Sequence, residues 1–191
     1  MDVREVLSIA GGLGALALFV PMAVSIIRDA GAGQSCATWL LWAALDSILA
    51  ASIIRQHGNY LLPLGFAAGS LALTVLLLTR KRFTWGRMDT ATLILVLGCL
   101  GGWQWGGART TTIAATLAIC LAGIPGLVEL WRNPQRRVAG IWGWYVLANG
   151  LAFLGGTAMT IEERFAPGVF AGFSLLMFAA GRRRCSAPNR P

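Results

Sequence analysis

Seven stretches of this chain are long and apolar enough to dictate its solvent: about 6–27, 37–54, 60–79, 90–108, 110–128, 138–160 and 165–181. A run of about 18 or more apolar residues, coiled as a helix, crosses the hydrocarbon core of a bilayer. Only such a segment satisfies its own backbone donors and acceptors where there is no water. At about 20 residues each, the runs consume most of the 191 residues. No soluble domain of useful size fits in what remains. The first run follows an acidic leader, "MDVRE", and is longer than the apolar region of a cleavable signal, so it reads as a membrane helix. The expected fold is an all-α integral membrane protein with seven transmembrane helices.

The formal net charge of +8 invites a nucleic-acid reading, but the positions of the charges argue for a membrane. Of the 16 Lys and Arg residues, only Arg4, Arg55, Arg109 and Arg164 fall on one side of a seven-helix arrangement. The others, including Arg80, Lys81, Arg82 and the run Arg182 to Arg184, fall on the opposite side. The positive-inside rule then puts the N-terminus outside and the C-terminus in the cytoplasm, as for a bacterial inner (plasma) membrane protein. The basic clusters meet anionic lipid headgroups, and nucleic acid is not an expected partner.

Several chemistries are absent from the pattern. Cys36, Cys99, Cys120 and Cys185 have neither disulfide nor metal-ligand spacing and read as small packing residues. Paired carboxylates, a His/Cys cluster and a nucleophile with its base are all missing, so no enzyme, metal or cofactor is expected. The only lysine, Lys81, lies at a helix end, which excludes a retinal Schiff base within the membrane.

The chain also repeats itself. Pro21, Val24 and Arg28 match Pro125, Val128 and Arg132 at a spacing of 104. After a slip of one residue, Trp39, Trp42 and Asp46 match Trp142, Tyr145 and Asn149. In the third helices two registers compete. A spacing of 103 pairs Gly65 and Gly69 with Gly168 and Gly172, whereas 104 pairs Pro63, Phe66 and Ser70 with Pro167, Phe170 and Ser174. Two three-helix copies joined directly would be inverted. The run at 90–108 turns the chain once more, so the copies come out parallel, related by an axis along the membrane normal. The organisation expected is a first repeat over 1–82, a linker with the fourth helix over 83–108, a second repeat over 109–184 and a cytoplasmic tail over 185–191.

This arrangement of three, one and three helices resembles the SWEET and PQ-loop (MtN3-like) family of small-solute carriers. The residues that carry the likeness are Pro21 and Pro125, "SCATWLLW" with its counterpart "IWGWY", and the basic segment after each proline. The resemblance implies sugar-like solutes and alternating access. The chain departs from the family where "PM" and "PG" stand in place of the PQ dipeptide. It also lacks prolines in the second and sixth helices and the paired asparagines of the sugar carriers.

Asp46 is the residue that most needs a function. A carboxylate at the centre of a membrane helix costs roughly 2.5 kcal/mol or more, and no Lys, Arg or His shares any of the apolar runs. Trp39, Trp42 and Asp46 sit at i, i+3 and i+7, on one helix face, and Trp142, Tyr145 and Asn149 repeat the spacing. A local twofold axis would turn both faces toward one central, solute-binding cavity with aromatic walls. Asp46 would then carry a proton with the solute or act as a fixed anion for a cationic one. Trp39 and Trp142 also suit the interfacial tryptophan belt, and Asp46 could instead be a structural acid bonded to backbone.

Pro21 and Pro125 are matched kink positions, candidate hinges for rocking halves, although membrane helices tolerate prolines readily. The two GxxxG patterns suit close helix packing, and His57 reads as a solvated loop residue. The function expected is a carrier for a small polar solute, which could be proton-coupled through Asp46. The alternative is a receptor or assembly factor of the same fold that binds without transporting. The partners are the solute, membrane lipids and, in a homo-oligomer, further copies of the chain.

Overall fold

The computed structural model describes residues 2–28, 35–81 and 83–183. Arg82, Arg184, Cys185, Arg190 and the tail 185–191 lie outside the described residues. Within them every regular element is helical: α1 (Val3–Ala17), α2 (Phe19–Ile27), α3 (Cys36–Ile54), α4 (Leu61–Thr79), α5 (Arg87–Arg132), α6 (Arg136–Gly155), a π-helical turn (Ile161–Phe165) and α7 (Ala166–Arg182). Counting α1 with α2 and the π turn with α7, six helical stretches are long and apolar enough to cross a membrane. The chain is an all-α integral membrane protein.

The 46 residues of α5 would measure about 69 Å as one straight helix, more than twice the core of a bilayer. Gly107 interrupts it with φ 72° and ψ −176°, a conformation essentially confined to glycine. The break falls just before Arg109, where the sequence placed the boundary between two runs. Ahead of it, Thr38 at the start of α3 donates to Asp89 Oδ1 at 2.6 Å, and Arg55, just beyond the end of α3, stacks over Trp103. Past the break, Thr112 is bonded to Ser52 and Gln56, again near the end of α3. Trp131 then accepts from Arg183 at the far end of α7. The chain therefore doubles back at Gly107, and Thr111 steadies the turn by donating to the Gly107 carbonyl at 2.9 Å.

Helix packing repeats itself as the sequence does. α4 packs on α1 and α3, and α7 packs on α5 and α6. Across the seam, α1 packs on α6 while α3 packs on α5. Exchanging α1 with the second half of α5, α3 with α6, and α4 with α7 maps these contacts onto one another.

The packing also chooses the register of the third helices. In the first half the Phe19 ring occupies the space that a Cβ at Gly69 would need. In the second half the Phe173 ring lies 2.7 Å from where a Cβ at Gly123 would stand. Phe19 corresponds to Gly123 and Gly69 to Phe173, both at a spacing of 104. The same phenylalanine–glycine contact is made twice with its partners exchanged. Each ring meets a tryptophan edge-on, Phe19 with Trp39 at 6.0 Å and Phe173 with Trp142 at 6.2 Å. Burial agrees: Pro63, Phe66 and Ser70 are buried, as are Pro167, Phe170 and Ser174.

Three expectations need adjusting. The first span, Val3–Ile27, is one stretch that loosens at Leu18, between α1 and α2 and three residues ahead of Pro21, with the Leu18 backbone still helical (φ −66°, ψ −19°). A proline removes the donor for the carbonyl four residues earlier and crowds it, here Ala17, and Leu18 shares its own N–H between Gly14 and Ala15. Pro125, by contrast, lies inside α5 with no break, so the two matched prolines are not equivalent. The run at 138–160 stops as a helix at Gly155. There the Gly155–Gly156 pair ends the coil, and arginines take the next carbonyls: Arg164 donates to that of Gly156 and Arg4 to that of Thr157.

The halves are joined at one end. Around residues 55–60 and 156–165, Asn59 donates from its side chain to Ala152 O at 2.9 Å and from its backbone to Glu162 O. Gly11 and Gly14 of α1 bring its backbone against Ala148 and Ala152 of α6, the close approach that small residues allow between membrane helices. At the opposite, arginine-rich end the buried apolar side chains fall into two separate groups. One, with Ile26, Leu73 and Leu77, is continuous with the main core. The other is Leu130, Met177 and Ala180.

Candidate functional site

α3 is held between α4 and α5 and is exposed mainly along the stripe of Leu40, Ser47, Ala51 and Ile54. That is why Asp46, one residue from the helix centre, is only 2% exposed. Asn149, its counterpart on α6, is 1% exposed. α6 faces α1 at this level, through Ala148 and Ala152. Tyr145 stands one turn from Asn149 on α6.

The aromatic residues form two chains of contact. Trp42 lies one turn from Asp46 and meets Trp39 at 6.5 Å, and both pack against the main core. Tyr145 meets Trp142 at 5.1 Å and Phe66 of the opposite half at 5.7 Å. Phe66 in turn meets Phe170 at 6.0 Å. Trp142 packs with the separate second group, beside Phe173. Of the six residues expected at the site, Tyr145 with Trp142 forms one ring pair and Trp39 with Trp42 a second. Among the described residues no hydrogen bond joins Asp46 to Asn149. The other tryptophans fit the belt reading in part: Trp105, Trp131 and Trp144 are exposed, whereas Trp103 is half-buried beneath Arg55.

Hydrogen bonding leaves two buried atoms without partners near this seam. Asn149 donates from Nδ2 to the Tyr145 carbonyl at 2.7 Å, while its Oδ1 has no partner. A backbone carbonyl can only accept, so the amide is oriented and the leftover atom is an acceptor. The Ser70 hydroxyl, one turn from Phe66 on α4, is also unpaired. Each such buried atom costs about 1–3 kcal/mol.

Phe66, Phe170 and Ser70 were visible in the sequence as repeat matches, but spacing within α3 and α6 did not point to them as neighbours of the site. The signal that could have done so was the repeat register itself. The two cavities at the joined end, of about 290 and 440 Å³, are lined by loop residues such as Arg4, Asn59, Glu163 and Arg164. They touch none of the six. Among the described residues no group of three or more His, Cys, Asp or Glu is placed to hold a metal ion.

The fold and site together define an all-helical membrane protein with a buried carboxylate and a buried amide, each one turn from an aromatic ring. No protein-family model, curated protein or solved structure matches the chain.

Proposed function

We propose that this protein is a membrane carrier for a small polar solute, working by rocking of two three-helix halves around Asp46 and Asn149. In this reading α5 supplies two crossings, before and after Gly107, and the seven crossings form two parallel repeats of three with a linker between them. The observation that carries it is that Asp46 and Asn149, matched in the repeat, are both buried, at 2% and 1% exposure. The exchanged pairs of packed helices support the twofold relation, and the start of α1 and the end of α7 lie at opposite ends, as suits an odd number of crossings. The bundle is joined at one end by Asn59, Ser52 and Thr112, while at the arginine-rich end its buried apolar side chains form two groups, as suits halves that part toward the cytoplasm. The motifs shared with SWEET and PQ-loop carriers point the same way, toward sugar-like solutes. Pro21 and Pro125 remain the candidate hinges, with the loosened turn at Leu18 beside the first.

The test is counterflow in liposomes with labelled sugars, amino acids and small amines, using an exchange of the central pair. Asp46→Asn should lower transport. Asp46→Asn combined with Asn149→Asp should recover part of it, because one carboxylate and one amide remain at similar depth. A well-folded double variant no better than Asp46→Asn removes the shared site. Saturable binding without counterflow would identify a receptor of the same fold.

A further inference from the structure

The larger cavity at the joined end, of about 440 Å³, has two guanidinium groups in its wall, those of Arg109 and Arg164. One carboxylate, Glu162, and the apolar side chains of Phe153, Met159 and Phe165 share that wall. Arg109 opens the second half of α5, just past Gly107, and Arg164 comes from the π-helical turn ahead of α7. Arg164 is positioned by neutral partners. Its Nη2 donates to the Gly156 carbonyl at 2.8 Å, its Cζ lies 5.1 Å from the centre of the Phe153 ring, and its Nε is closed off without an acceptor. None of these cancels its charge. The next carboxylate, Glu163, belongs to the smaller cavity, where it accepts from the Thr157 N–H at 3.0 Å. Two positive groups against one negative leave the larger cavity with a single positive charge. Met159, in the same wall, is 78% exposed.

We propose that this cavity binds a phosphate group, supplied by a phospholipid headgroup, between Arg109 and Arg164. The planar fork of a guanidinium matches the oxygens of a phosphate. A phosphodiester carries one negative charge, which balances the wall, whereas a phosphate monoester brings more than one near neutral pH. The cavity lies among helix ends, the level at which headgroups meet a membrane protein. Phe153 and Met159 supply apolar surface for the glycerol and the first acyl carbons. The site is separate from the basic clusters at the opposite end and touches none of the six central residues, so it stands whether or not the protein is a carrier.

The experiment is a native mass-spectrometry titration of the delipidated, detergent-purified chain with dioleoyl phosphatidylglycerol, dioleoylglycerol and inorganic phosphate, with thermal melting as the check on folding. Phosphatidylglycerol should bind saturably, and dioleoylglycerol, which has the chains without the phosphate, should not. Arg109→Gln should weaken phosphatidylglycerol about tenfold, as loss of one charged hydrogen bond does, and Arg164→Gln at least as much. Arg109 is exposed, so its variant decides the matter if Arg164→Gln, which also loses the Gly156 bond, does not fold. Arg55→Gln is the control, because Arg55 stands at the same end over Trp103 and outside the cavity. It should leave binding unchanged. The proposal is overturned if dioleoylglycerol binds as well as phosphatidylglycerol, if Arg109→Gln binds normally, or if Arg55→Gln weakens binding as much as Arg109→Gln. Saturable inorganic phosphate that is lost in Arg109→Gln, with no binding of phosphatidylglycerol, would keep the phosphate site and overturn the lipid as its source.

Discussion

Gly107 is a residue whose side chain, or lack of one, decides the path of the whole chain. Its φ of 72° with ψ of −176° is a combination that a Cβ makes costly, by about 1–3 kcal/mol. A Cβ placed there meets nothing within 4 Å, so the penalty in Gly107→Ala comes from the backbone alone. That variant should unfold at lower temperature in detergent. Gly102→Ala, five residues earlier in regular helix and also in open space, should be neutral or stabilise by up to about 1 kcal/mol. Equal melting of the two variants would show that the turn does not depend on Gly107. At Asp46 and Asn149 the sequence was legible for identity and spacing but not for chemistry. Which atom of the amide is free depends on the Tyr145 carbonyl having taken Nδ2, a contact that spacing alone does not reveal.

Among elements, the exchanged phenylalanine–glycine contacts explain how two repeats with different side chains keep one geometry. A ring must fill the space between the first and third helices beside each tryptophan, and either helix can supply it. Phe19→Gly alone should lose about 3–5 kcal/mol, as a vacated aromatic site does, and Gly69→Phe alone should suffer overpacking of about 1–3 kcal/mol. The double variant copies the second half, where Gly123 faces Phe173. It should lie within about 2 kcal/mol of the parent, strongly non-additive. Thermal unfolding of the four proteins checks this, and additive losses would mean the two sites are not interchangeable. The sequence held both registers of the third helices because glycine matches glycine at 103 and Pro63, Phe66 and Ser70 match at 104. Only the complementarity of volumes across the contact separates them.

At the scale of the whole molecule, rocking requires the contact between α1 and α6 to open and close. A Cβ on Gly14 would stand 3.6 Å from that of Ala148, within the roughly 3.5–4.5 Å of a disulfide. In a background without the native cysteines, Gly14→Cys with Ala148→Cys should cross-link on oxidation and arrest counterflow, with reductant restoring it. Full exchange in the cross-linked protein would show that the halves need not part there. What the sequence determined by itself was the solvent and the rough spans, because hydropathy sums along a window and needs no partner. It also determined the twofold likeness of Trp39, Trp42 and Asp46 to Trp142, Tyr145 and Asn149, which is a property of order along the chain. The tertiary structure decided that the turn expected before Arg109 falls on Gly107. It also decided the 104 register and the free oxygen of Asn149. Each of these depends on which atoms meet across space, and packing is a property of pairs of segments that no single segment carries.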